Sequence, residues 1–187
     1  MLWVLACLFA FASTGLAQEV VGSRPYEMDW AGRTEDDNPP LIDFEDLDGW
    51  TVQTDNAVAG FERSREQQVW GEHVGKLTYR GEGNAPRVSL APPQPIPIAA
   101  PFDAATLWVW GNNWFGRDAD TPSVTVAAVF ADAEGVEFTI SFIAVRWKEW
   151  FLCHRRLSPQ QIERVANGGS FRRFEVTNGR NKADRTI

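Results

Sequence analysis

The sequence predicts an all-β chain, an antiparallel β-sandwich with one short helix. Three observations carry this. Apolar residues recur with period two, most plainly at Val124, Val126, Ala128 and Phe130 and again at Phe138, Ile140 and Phe142, the spacing that puts them on one face of a strand. Turn residues separate the runs, as in Asp48-Gly49, Gly111-Asn112-Asn113 and Asp132-Ala133-Glu134-Gly135. Only Ser158-Pro159-Gln160-Gln161 carries a helix start, with Ser158 as N-cap and Pro159 at the first helical position.

The chain opens on an apolar run from Leu2 to Ala12 with no Lys or Arg before it, broken by Ser13, Thr14 and Gly15. Small residues at Gly15 and Ala17 suit a signal peptidase, so residues 1–17 read as a secretory signal peptide cleaved after Ala17. The run is too short for a membrane span, and no other segment offers one. A secreted, periplasmic or cell-surface location follows. Cleavage removes Cys7 and leaves Cys153 alone, so no intrachain disulfide can form; so few cysteines in an exported chain fit a bacterial source. Cys153 sits in the apolar run Trp150-Phe151-Leu152-Cys153 and is expected to be a buried structural thiol.

Residues 18–40, with Pro25, Gly32, Glu35-Asp36-Asp37 and Pro39-Pro40, read as a linker or loosely docked arm. The ordered domain is expected over 41–187. Strands are expected within Leu41–Leu47, Trp50–Thr54, Gly60–Ser64, Gly75–Arg80, Ala104–Trp110, Val124–Ala131, Val136–Val145, Trp150–Arg156 and Phe171–Thr177. The five prolines between 91 and 101 are expected to keep that segment out of any sheet. The helix is expected to end at about Ala166, before Asn167-Gly168-Gly169.

The net charge of −7 argues against nucleic acid, which rewards clustered Lys and Arg. The two histidines, His73 and His154, are far apart and form no zinc pattern. No nucleophile elbow and no phosphate-binding glycine loop occurs. Asp43 and Glu45 would lie roughly 6.5–7 Å apart on one strand face, within the range of glycosidase carboxylate pairs, although such pairs normally come from different strands. No catalytic residue is therefore assigned.

The nine tryptophans are the most unusual feature, and all but Trp3 follow the cleavage point. Most are expected in the core, where aromatic rings bury the most surface. Trp108 and Trp110 share one face of their strand. Trp114 and Trp70 fall in loops, where an exposed ring beside the amides Asn112, Asn113 and Gln68 could stack on a sugar while the amides hydrogen-bond its hydroxyls. Trp70, Trp110, Trp114 and Asn113 are the candidate ligand-binding residues. The alternative is that the loop tryptophans merely cover the ends of the sandwich.

Four segments carry a resemblance. Ile42-Asp43-Phe44-Glu45-Asp46-Leu47-Asp48-Gly49-Trp50 is similar to the opening of galactose-binding-like jelly rolls. Leu107-Trp108-Val109-Trp110-Gly111 resembles their middle strand, Val129 to Gly135 their D-x-x-G hairpin, and Trp147-Lys148-Glu149-Trp150 the tryptophan pair before a late strand. That superfamily includes many carbohydrate-binding modules of secreted polysaccharide-degrading enzymes. The resemblance implies a jelly-roll β-sandwich with a non-catalytic, glycan-binding role inside a longer protein. It also implies a structural calcium held by the Glu of the opening strand and an Asp of the closing strand. Glu45 matches the first of these; the second, with its strand, is not in the sequence, so a missing last strand and a neighbouring domain are expected. The other readings are a structural or adhesion module that binds no sugar, and a glycan-active hydrolase or lyase.

Overall fold

The computed structural model describes residues 39–69, 71–111, 124–177 and 185–186. They form two antiparallel layers. In chain order the strands are β1 (Thr51–Asp55), β2 (Ala57–Ser64), β3 (Val74–Gly81), β4 (Arg87–Ala91), β5 (Ile96–Ile98), β6 (Ala104–Trp110), β7 (Val124–Asp132), β8 (Glu137–Val145), β9 (Trp150–Arg156), β10 (Gly169–Thr177) and β11 (Arg185–Thr186). One layer runs β1-β4-β10-β7-β8, with β5 continuing along the β10 edge beyond β4. The second layer holds two pieces, β11-β3-β2 and β6-β9. β2 contacts β1, β9 contacts β8, and β3 and β6 border the same cavity. Among the described residues no helix is long and apolar enough to cross a membrane.

The antiparallel β-sandwich expected from the alternation is present. Val124, Val126, Ala128 and Phe130 pack with Phe138, Ile140 and Phe142 in the core, joined there by Leu77, Leu90, Phe171 and Phe174. Phe171 is 1% exposed and its ring lies 5.7 Å from Phe130 and 4.6 Å from Phe174. The hairpin turns where Gly135 takes φ +83°, a conformation that only glycine adopts without strain. The helix α1 (Pro159–Arg164) carries the expected N-cap: Ser158 Oγ accepts from the Gln161 amide while Gln161 Oε1 accepts from the Ser158 amide, a reciprocal capping box.

Two expectations fail. Residues 41–47 form no strand. Phe44 has φ +62°, the Asp43 carboxylate accepts the Glu45 amide at 3.0 Å, and Asp46 accepts the Asp48 amide at 2.8 Å. These local bonds satisfy backbone groups that a strand would offer to a neighbour, so Asp43 and Glu45 do not share a strand face. The proline segment, in turn, does pair: Ile96, Pro97 and Ile98 lie opposite Phe171, Ser170 and Gly169. β5 is short and lies at the sheet edge, where a missing N–H is tolerated.

Candidate functional site

β6 and β9 form in the expected places, with Trp110 opposite Trp150 and Trp108 opposite Leu152. Ala105, Leu107 and Val109 point into the core. Alternation therefore turns Trp108 and Trp110 to the other face. Trp150 and Leu152 share that face, and all four side chains are half-buried, with exposed Thr106 and His154 continuing it along the strands. The Trp110 and Trp150 rings meet edge to face, 5.9 Å apart at 73°. The Trp150 Nε1 donor is buried and has no hydrogen-bond partner among the described residues. An apolar, ring-bearing face thus lies outside the core cluster, and its four side chains border the cavity that opens between β3 and β6.

The other described tryptophans are structural. Trp147 is buried and donates its Nε1 proton to the Val109 carbonyl at 3.1 Å, locking the turn before β9 against β6. Trp50 packs between Phe44 and Phe61 at 5.8 and 5.6 Å. Of the ligand-binding candidates, Trp110 is placed on the outer aromatic face, while Trp70, Asn113 and Trp114 lie outside the described residues, as do residues 1–38. Trp150 was the residue that sequence reasoning did not nominate. Its signal was the cross-strand pairing with Trp110, which only the β6–β9 register reveals.

Glu45 is placed away from that face, at the turn before β3. Its Oε1 accepts the Glu72 amide at 2.5 Å and the His73 amide at 2.8 Å, and its Oε2 meets His73 Nδ1 at 2.8 Å. Gly71, at φ +52°, packs so closely that any Cβ there would collide with this carboxylate. Partial burial alone would raise the Glu45 pKa; the bonds from His73 and Glu72 outweigh it and hold the carboxyl below its ordinary value. Calcium is surrounded by 6–8 oxygen ligands. Glu45 is surrounded by N–H donors instead, and among the described residues no three acidic, His or Cys side chains converge. The donor set here does not fit the ion, and Glu45 acts as a loop clamp.

The opposite outer surface, on β8-β7-β10, is polar. Arg173 reaches from β10 across β7 to Glu137 on β8, with Nη1 2.8 and 2.9 Å from the two carboxylate oxygens, and its Nε bonds Glu175 at 3.0 Å. This strap roofs Val129 and Ala131 of β7, which point outward yet are almost fully buried. Asp132 closes the β7–β8 hairpin: its Oδ1 accepts the Val136 amide at 2.7 Å and its Oδ2 accepts from Arg164 of α1 at 2.8 and 3.0 Å. The Arg164 guanidinium, together with the Val136 amide, holds the Asp132 carboxyl below its usual value. Cys153 is 1% exposed, and burial pushes its thiol up to about 11, so it is a structural thiol as expected.

No family model and no curated protein matches the chain. Solved structures do match. One, from work on the promiscuous specificity of carbohydrate-binding modules of the β-sandwich superfamily, aligns with a TM-score of 0.50 at 15% identity, over 77% of this chain and 56% of that one. This chain thus spans little more than half the length of that structure. The enzymatically active domain of bacteriophage CBA120 tailspike protein 4 aligns with a TM-score of 0.47 at 14% identity, over 77% of this chain and 19% of that one. TmCBM61 in complex with β-1,4-galactotriose aligns with a TM-score of 0.41 at 14% identity, over 82% of this chain and 94% of that one. The likeness is one of fold: this chain is an antiparallel β-sandwich structurally similar to those of carbohydrate-binding modules.

Proposed function

We propose that the domain is a non-catalytic glycan-binding module of an exported protein, and that sugar stacks on the outer face of β6 and β9. The observation that carries this reading is the grouping of Trp108, Trp110 and Trp150 with Leu152 on a surface that the core does not use. A pyranose ring presents C–H faces that pack on an indole, and its hydroxyls bond to nearby polar groups; binding surfaces combine such apolar area with a few polar anchors. Thr106 and His154 supply polar atoms at this face. The export signal over residues 1–17 supports contact with extracellular polysaccharide.

The test is retention on a panel of soluble and insoluble polysaccharides, with Trp110→Ala and Trp108→Ala beside the parent chain. Removing a stacking ring is expected to weaken binding by 1–2 kcal/mol, about 5–30-fold. A second reading, docking of a neighbouring protein domain on the same face, is favoured by the edge-to-face corner of Trp110 and Trp150, which is less flat than a coplanar platform. Binding to no polysaccharide at all would select it.

A further inference from the structure

A groove of about 370 Å³ lies on the polar outer surface of the six-stranded layer, away from the tryptophan face. Its floor is made of small or polar side chains from two paired strands, Thr51 and Gln53 of β1 and Ser89 and Ala91 of β4. Its wall is the proline segment that joins β4 to β5, through Pro92 and Pro95. That wall is pinned at both ends. Pro93 packs so tightly on Gly49 that a Cβ there would come within 2.9 Å of it, and Ile96 pairs with Phe171. Proline also fixes its own φ, so the wall is rigid before any ligand arrives. A β-bulge supplies the cation. On β10, Phe171 pairs with Phe130 and Arg173 with Val129, so Arg172 is the extra residue. Phe171 and Phe174 both belong to the core, and the two arginines between them line the groove with Glu137. Regular alternation would have turned one of these arginines inward. Arg173 engages both carboxylates within its reach, Glu137 and Glu175. Arg172 is left with its Nε 3.7 Å from Glu137 Oε1, too far for a hydrogen bond. Among the described residues the Gln53 and Ser89 side chains also have no hydrogen-bond partner, and Thr51 Oγ1 has only a long 3.5 Å bond to the Ala91 carbonyl.

We propose that this groove binds an acidic sugar, a uronate residue, with its carboxylate on the Arg172 guanidinium and its hydroxyls on Thr51, Gln53 and Ser89. A guanidinium matches a carboxylate in geometry as well as in charge. Hydroxyl and amide side chains both donate and accept, which suits a ring of alcohols better than a bare anion. Pro92 and Pro95 give the C–H face of that ring an apolar wall. The volume is at the small end of ligand clefts, about 300–1,000 Å³, so the groove holds one or two sugar residues. The net charge of −7 gives no long-range pull on an anion. Selectivity for the acid therefore rests on contact with Arg172. The site is independent of the tryptophan face and stands or falls without it.

The test follows backbone amide chemical shifts of the chain during titration with glucuronate, galacturonate, the neutral sugars glucose and galactose, and acetate. At least one uronate is expected to shift the Gln53, Ser89 and Arg172 amides saturably, with the neutral sugars and acetate at least about fivefold weaker. Arg172→Gln should weaken uronate binding about tenfold. Gln53→Ala, an exposed change on an edge strand, should weaken it about threefold with Tm unchanged, which keeps the test decisive if the Arg172→Gln chain fails to fold. Trp110→Ala should leave uronate binding within about twofold, so a failure of this site and a failure of the tryptophan-face reading are told apart. Acetate acting as strongly as uronate would make the groove an adventitious anion site only and overturn the proposal. So would neutral sugars that bind equally well, uronate affinity unchanged by both Arg172→Gln and Gln53→Ala, or no shift with either uronate up to about 50 mM.

Discussion

Glu45 shows how much of this structure one side chain can organise. Its carboxylate closes the turn before β3 through two backbone amides and the His73 ring, and Gly71 is glycine because nothing larger fits beside it. Replacing Glu45 with Ala is expected to cost about 1–2 kcal/mol at pH 7, because it leaves two amides without their acceptor and the site is partly exposed. The pKa of Glu45 is lowered in the fold. Its contribution is therefore full above the ordinary carboxylate value of 4.5 and is lost as pH falls through the folded value. Denaturant unfolding of parent and Glu45→Gln should show a stability gap at pH 7 that narrows by pH 3. Asp132 titrates in the same direction, so acid should loosen the β3 turn and the β7–β8 hairpin together. Cys153 gives a second residue-scale expectation: with its thiol near 11 and its side chain buried, it should react with a disulfide reagent at pH 8 only after unfolding.

At the scale of elements, the strands that period-two patterning marks clearly, β6 to β9, form where their residues place them. Their apolar residues alternate against polar ones and their ends carry Gly, Asn or Asp. β4 offers only Val88 and Leu90 as alternating apolar positions, a short signal, and β5 was not legible because Pro95 and Pro97 disguise it; only the tertiary edge of β10 makes β5 a strand. Residues 41–47 misled in the other direction: their alternation is real, but Asp43 and Asp46 bond their own backbone and Phe44 turns left-handed. α1 was legible from its cap. Ser158→Ala should lower stability by about 1 kcal/mol, read as a shift in denaturation midpoint without a change in slope. Phe171→Ala, at the meeting of β5, β7 and β10, should cost about 3–5 kcal/mol. The aromatic face was half legible: the pairing of Trp108 and Trp110 follows from spacing, whereas Trp150 joins them only through the β6–β9 register.

For the whole molecule, the two layers put their chemistry on opposite outer surfaces. The six-stranded layer carries the Arg173–Glu137 strap, a satisfied ion pair over small β7 side chains. The second layer presents tryptophan rings that neither the core nor an ion pair claims. The fold class, a sandwich like those of carbohydrate-binding modules, was readable from alternation and turns. Where a glycan would sit was not, because which face of β6 is core depends on the opposing layer. Titration of the intact chain with the polysaccharide it retains best, repeated with Trp110→Ala and with Phe151→Ala, decides most directly. Phe151 is an exposed aromatic on the other face of β9. Saturable binding that Trp110→Ala weakens about 5–30-fold, while Phe151→Ala leaves it within about twofold, is the expected result. Binding that is absent, or that both substitutions leave untouched, would contradict a glycan site on the face of Trp108, Trp110 and Trp150.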